Sequence, residues 1–110
     1  MQEIKFDENG LDRIDFDENG LVPAIVQQFD TGEVLMLGYM NEDSLNVTKE
    51  KGHVTFWSRN RKELWTKGET SGNLLILKSI DIDCDGDTLL VKADIGSGVC
   101  CHRGTRTCFD

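Results

Sequence analysis

A chain of 110 residues is one domain by length, able to bury roughly two-thirds of its unfolded surface but with a thin core, so help from a partner or a metal is expected. A formal net charge of −8 argues against nucleic acid or an anionic membrane as the main partner, so an anionic ligand must find a local basic patch. No apolar run approaches the roughly 20 residues of a membrane span, and "MQEIKFDENG" has neither the basic head nor the apolar core of a signal peptide, so the chain reads as cytoplasmic.

The domain is taken as residues 1–110, with 1–13 a polar lead-in. "KFDENGL" at Lys5 returns as "DFDENGL" at Asp15, too short an echo for a solenoid, and reads as two Asn-Gly turns at Asn9-Gly10 and Asn19-Gly20. "AIVQQF" and "EVLML" are strand-like runs joined by the turn residues "DTG", so a β-hairpin is expected. Asn41 then caps a helix, Glu42 and Asp43 favour its first turn, and Gly52 stops it. "HVTFWS", "LLILKSIDI" and "TLLVKA" read as further strands. The expected fold is α+β: a compact single domain rich in antiparallel strands with one main helix, and dimeric.

"DIDCDGDT", Asp81 to Thr88, packs four carboxylates and one thiol into eight residues. Such charges repel unless a cation joins them. Strand alternation places Asp81, Asp83, Asp85 and Asp87 on one side and Cys84 on the other, with Gly86 breaking the strand so that the later carboxylates turn toward a common point. The opening matches an EF-hand calcium loop, but the closing glutamate would fall at Lys92 and the flanks read as strands. A solvated acidic turn without a ligand is the ordinary alternative.

A reducing compartment leaves Cys84, Cys100, Cys101 and Cys108 as thiols. In "GSGVCCHRGTRTCFD" a glycine-rich segment can bend Cys101 and Cys108 to one ion, with Cys84 as third ligand; three thiolates and an open position suit a catalytic zinc. The H-x-E and P-C-x-x-C signature of zinc deaminases is missing. In "FWSRNRKELWTKGETSG", Trp57 and Trp65 offer faces for a base, Arg59, Arg61 and Lys67 offer donors for phosphates, and Thr70 and Ser71 add hydroxyls. The alternative makes the tryptophans core and the basic residues a solvated turn.

From about Ile14 onward the chain resembles phosphoribosyl-AMP cyclohydrolase of histidine biosynthesis, through "IVQQFDTGEVLMLGYMN", "WSRNRKELWTKGETSGN", "DCDGDTLLV" and "CHRGTRTCF" in the family's order. The resemblance implies zinc ligands at Cys84, Cys101 and Cys108 and magnesium ligands at Asp83, Asp85 and Asp87. It also implies a homodimer whose zinc sites take Cys84 from one chain and the other two from its partner. Cys100 adds a thiol beside Cys101; the spacing to Cys108 favours Cys101 as the ligand.

The implied reaction is hydrolytic opening of the adenine ring between N1 and C6, in a substrate whose N1 carries a second phosphoribosyl group. Zinc would bring the ionisation of water toward neutral pH, and magnesium would orient the substrate. His102, next to a proposed ligand, is the candidate for proton transfer. His53, at the entrance to a predicted strand, reads as structural. A zinc-stabilised nucleotide-binding module without turnover is the second class of function.

Overall fold

Alternating apolar and polar side chains in VPAIVQQ make every second residue available to one sheet face, and Val22, Ala24, Val26 and Gln28 are the buried set of strand β2 (Val22–Gln28). In the computed structural model, which describes residues 5–6, 14–96, 98–101 and 103–109, this strand lies inside a five-stranded sheet. It is flanked by β3 (Val34–Met40) on one side and β7 (Leu89–Asp94) on the other, followed by β6 (Ile76–Ile82) and β1 (Lys5–Phe6). A hairpin of β4 (Thr55–Ser58) and β5 (Glu63–Thr66) forms a second, two-stranded sheet.

The hairpin expected around "DTG" is present: β2 and β3 pair antiparallel, and Gly32, at φ 81°, donates its N–H to Gln28 O. A register shift between Val26 and Gln27 leaves Leu35 opposite no partner, which is why Leu35 and Met36 are both buried. Asn19-Gly20 is also a turn. Asp17 closes it by accepting from the N–H groups of Asn19 and Leu21. The Asn9-Gly10 turn lies outside the described residues.

Helix α1 (Glu42–Lys51) starts and stops where its residues dictate. Asn41 accepts from Ser44 N, Ser44 returns the bond to Asn41 N, and Gly52 takes the left-handed conformation at φ 76°. The helix is fastened to β4 by Thr48, whose hydroxyl accepts from Thr55 N and donates to Ser44 O, all buried. Its fully buried Leu45 joins Val54 and Phe56 in the core.

Across the main sheet the buried side chains form rows, with Ile82, Leu89 and Ala24 in one and Ile80, Val91 and Val26 in the next. A shift between Leu77 and Ser79 changes the alternation of β6, so Leu77 and Ile80, three apart, both face inward. The fold is α+β, a strand-rich domain with one helix among the described residues, as the chain order suggested. Two pairings, β2 with β7 and β1 with β6, are parallel, and neither β5 nor β1, which lies within the expected polar lead-in, had a counterpart among the expected strands.

Gly38 decides where the small hairpin sits. A Cβ on Gly38 would lie 2.6 Å from Phe56 Cδ1, so its absence lets the fully buried Phe56 ring press onto β3. Phe56 and Trp65, opposite each other in the hairpin, pack with ring centroids 5.7 Å apart. Trp65 is thereby held between the sheet and the loops that follow.

Candidate active site

A cavity of about 320 Å³ opens where the segment after β5 meets the segment after β7. Four of the substrate-site residues expected from sequence, Trp65, Lys67, Thr70 and Ser71, line it together with Cys101. Lys67 Nζ stands 5.3 Å from the Trp65 ring centroid. Gly68, Glu69, Asn73, Val99, Cys100 and Gly104 complete the lining, and of these Glu69, Asn73, Val99 and Gly104 were not singled out in the sequence. A polar loop side chain gives no periodic signal by which to find it.

A second cleft, of about 250 Å³, uses Trp65 as a shared wall and adds Tyr39, Trp57, Arg59 and Asn60. Arg59 sits over Tyr39, its guanidinium carbon 4.0 Å from the ring centroid, which places a cation in the cleft. Arg61 is not brought in. It sits in the β4–β5 turn with Nε 3.4 Å from Glu63 Oε1, and lines neither cleft.

Burial of Gln28 fixes the exit of β7. Its Nε2 donates to Asp94 and Asp30 while its Oε1 accepts from Ile95 N, so the chain leaves the sheet in a set direction. That amide, with the N–H of Gly96, holds the Asp94 carboxyl below the ordinary carboxylate range. The cysteine loop then folds on itself: Cys100 N donates to Arg106 O, Cys101 N to Thr105 O, and Cys108 N to Leu35 O at the start of β3.

The three loop thiols differ in character. Arg103 Nε donates to Cys101 Sγ at 3.4 Å and, with the Arg103 backbone N–H, brings the Cys101 thiol down from 9.0 to about 6. Of the three, Cys101 is the thiol whose ionised form its surroundings favour. Cys108 is raised by burial and then by the charge of the neighbouring Cys101. Cys100 is buried, and desolvation pushes it up to about 12, so it stays protonated.

At the opposite end of β7 lies the turn Asp83–Thr88. Asp83 N donates to Thr88 O, Gly86 N to Asp83 O, and the Asp83 carboxylate accepts from the N–H groups of Asp87 and Thr88. Gly86, at φ 77°, makes the reversal. One oxygen from each of Asp83, Asp85 and Asp87 comes within 4.8 Å of the others, all exposed. Asp81 stays in the strand, 3.9 Å from Lys92 Nζ. Asp83, through a hydrogen bond and then through repulsion, holds the Asp87 carboxyl above its ordinary range.

Cys84 is exposed on this same turn. The six residues of β7 at roughly 3.3 Å each separate it by about 20 Å from the start of the cysteine loop. Among the described residues Cys84, Cys101 and Cys108 accordingly form no common cluster within one chain. His102 lies outside the described residues. His53 makes a bridge to Ile76 at the edge of the sheet, consistent with a structural place. Among the described residues no helix is long and apolar enough to cross a membrane.

Comparison with known proteins adds an independent line. Residues 36–110 match the family model of phosphoribosyl-AMP cyclohydrolase. The chain is 64% identical over 91 residues to the histidine biosynthesis bifunctional protein HisIE of Photobacterium profundum, covering 83% of this chain and 44% of that longer protein. It is 56% identical over 99 residues to the phosphoribosyl-AMP cyclohydrolase of Streptomyces coelicolor, covering 90% of this chain and 77% of the relative. To that of Clavibacter michiganensis it is 55% identical over 100 residues, covering 91% and 75%. With a match over most of its length and these identities, the chain belongs to the phosphoribosyl-AMP cyclohydrolase family.

Proposed function

We propose that this chain catalyses the hydrolytic opening of the adenine ring of 1-(5-phosphoribosyl)-AMP between N1 and C6, giving the formimino-carboxamide ribotide of histidine biosynthesis. The observation that carries this reading is one cavity walled both by Trp65, Lys67, Thr70 and Ser71 and by the thiol of Cys101, whose ionised form is favoured. The substrate bears two phosphoribosyl arms. Lys67 in the first cleft and Arg59 in the second offer a cation to each, and Trp65 and Trp57 offer faces to the base between them.

The donor sets fit the two ions the resemblance implies. Soft sulfur donors suit zinc, and Cys101 and Cys108 lie close enough for each to perturb the other's ionisation, with the ionised form favoured at Cys101. The third sulfur, Cys84, is exposed and about 20 Å away along β7. Zinc would thus be held by Cys101 and Cys108 of one protomer and Cys84 of a second copy in a homodimer. What a bound zinc supplies is Lewis acidity that brings the ionisation of water toward neutral pH. Cys100, protonated and buried, contributes packing instead. His102, next to Cys101 in the sequence, is assigned to proton transfer, a role for which imidazole is the usual side chain.

The three carboxylates of Asp83, Asp85 and Asp87 would hold magnesium, whose contribution when bound is a hard positive charge for phosphate oxygens. Their mutual repulsion makes a sign-specific prediction. Without a divalent cation, Asp85→Asn should leave the fold as stable as wild type or more so. With magnesium the order should reverse, and the magnesium needed for half-maximal activity should rise about tenfold. Because the Asp87 pKa is raised on folding, its protonation favours the native turn, and that contribution is lost as pH rises through the folded value. Melting with and without magnesium between pH 4 and 7 checks this; an unchanged metal titration would count against the assignment.

The direct test of the reaction is an absorbance assay with phosphoribosyl-AMP and magnesium on protein as purified, stripped of zinc, and restored with it. Ring opening should vanish with the zinc and return with it. A protein that binds the nucleotide but turns over nothing in any arm would instead be a zinc-stabilised binding module.

A further inference from the structure

We propose that Arg106 is a positioning residue whose guanidinium clamps the cysteine loop to two separate parts of the fold and thereby sets the placement of Cys101 and Cys108. The inference rests on the reading of those two sulfurs as metal ligands. Arg106 Nε donates to Glu33 Oε1 at 2.8 Å, at the foot of β3. Its Nη1 donates to Gly96 O at 2.8 Å and Gly98 O at 3.3 Å, on the segment that leaves β7. Three acceptors from two places in the chain are gathered by one planar group.

The backbone of the same residue ties this clamp to the ligands. Arg106 O accepts from Cys100 N at 3.0 Å and the neighbouring Thr105 O accepts from Cys101 N at 3.1 Å. Two residues beyond, Cys108 N donates to Leu35 O, two residues along from Glu33. The loop is therefore pinned at both arms, and Arg106 supplies the only side-chain bonds among the described ones that run from it to Glu33, Gly96 and Gly98.

Gly98 extends the connection to the cavity. A Cβ there would fall 2.6 Å from Asn73 Oδ1 and 3.1 Å from Ile95 O, so the chain passes close against Asn73, a wall of the first cleft. Lysine cannot replace the clamp. It would keep a charge opposite Glu33 but has no rigid fork with which to reach the two carbonyls as well. Groups that orient metal ligands in this way typically alter metal affinity by about 10–100-fold when changed.

The test compares the intact wild-type chain with Arg106→Lys and with the exchanged pair Glu33→Arg/Arg106→Glu. Amide hydrogen exchange is read at Cys100, Cys101 and Cys108, with Val54 and Leu77, whose N–H groups donate to Leu75 O and Gly52 O, as controls elsewhere in the fold. Zinc affinity is read by competition with a chromophoric chelator, and kcat and KM are read separately. Both variants should fold, exchange at the three loop amides about tenfold faster with the controls unmoved, bind zinc about 10–100-fold more weakly, and lose kcat with KM changed less than about threefold. The exchanged pair restores opposite charges but gives the carbonyls of Gly96 and Gly98 no donor, so it should share the defect.

Unchanged loop exchange in Arg106→Lys would overturn the proposal, whatever the zinc result. So would loosened exchange with zinc affinity equal to wild type, or full recovery in the exchanged pair. Failure of the metal reading is a different result: wild type itself would bind no zinc, while faster loop exchange in Arg106→Lys would still mark the clamp.

Discussion

Replacing Cys101 by serine is expected to remove zinc and turnover together, with kcat falling at least about 10³-fold, the order of a lost metal-activated nucleophile. The Arg103 side chain and backbone N–H bring the Cys101 thiol down to about 6, which favours the charged sulfur a soft cation needs. Serine fits the space, but its hydroxyl stays protonated and hard, and Cys108, raised by burial, is a poor substitute. The control is Cys100→Ser. Cys100 is buried and held protonated near 12, so its replacement should lower stability by placing a hydroxyl among apolar neighbours yet leave zinc content at wild-type level. Zinc per chain and steady-state rates decide the matter, and retained zinc with full activity in Cys101→Ser would refute the ligand assignment.

Local chemistry made some of this molecule legible from residues alone. The cap at Asn41, the stop at Gly52 and the turn at Gly32 each depend on a few adjacent atoms, and they occur where the residue types require them. The turn of Asp83, Asp85 and Asp87 was readable for the same reason, since Gly86 and the alternate aspartates bring the carboxylates together without help from distant segments. Strand partners were not. The parallel pairing of β2 with β7 joins residues more than sixty positions apart, and nothing local to "VPAIVQQ" specifies it.

The two registers that shift, at Gln27 and at Ser79, likewise depend on what lies opposite. Strand β5 was missed because "ELWT" is short and charged at its start, and it is ordered by the Phe56–Trp65 contact across its hairpin. In the site, Tyr39, Asn73 and Gly104 became visible only once separate loops met. The separation of Cys84 from Cys101 follows from β7 itself: a turn at one end of a strand and a loop at the other cannot share an ion within one chain.

Gly68→Ala should cost about 2–4 kcal/mol of stability, well above the usual effect of one methyl group. Gly68 opens the loop that carries Thr70 and Ser71 into the cavity, and it holds a φ of 82°, where an alanine is strained by about 1–2 kcal/mol. A Cβ would also lie 2.1 Å from Asn73 O and 2.6 Å from Leu74 N. Both are backbone atoms, so no rotamer change relieves the overlap, and the loop must open at the Gly72 N to Gly68 O bond of 2.8 Å or carry Asn73 outward. Either movement widens the wall facing Lys67, so KM should rise more than kcat falls. Gly72 provides the comparison. It has nearly the same conformation, φ 86°, but its Cβ would meet nothing within 4 Å, so Gly72→Ala should show only the conformational cost of about 1–2 kcal/mol. Urea melts of the two variants read the difference, which isolates the close approach of Gly68 to Asn73. Equal losses would mean that the loop accommodates the methyl group, and that the cavity wall is set by something other than this contact.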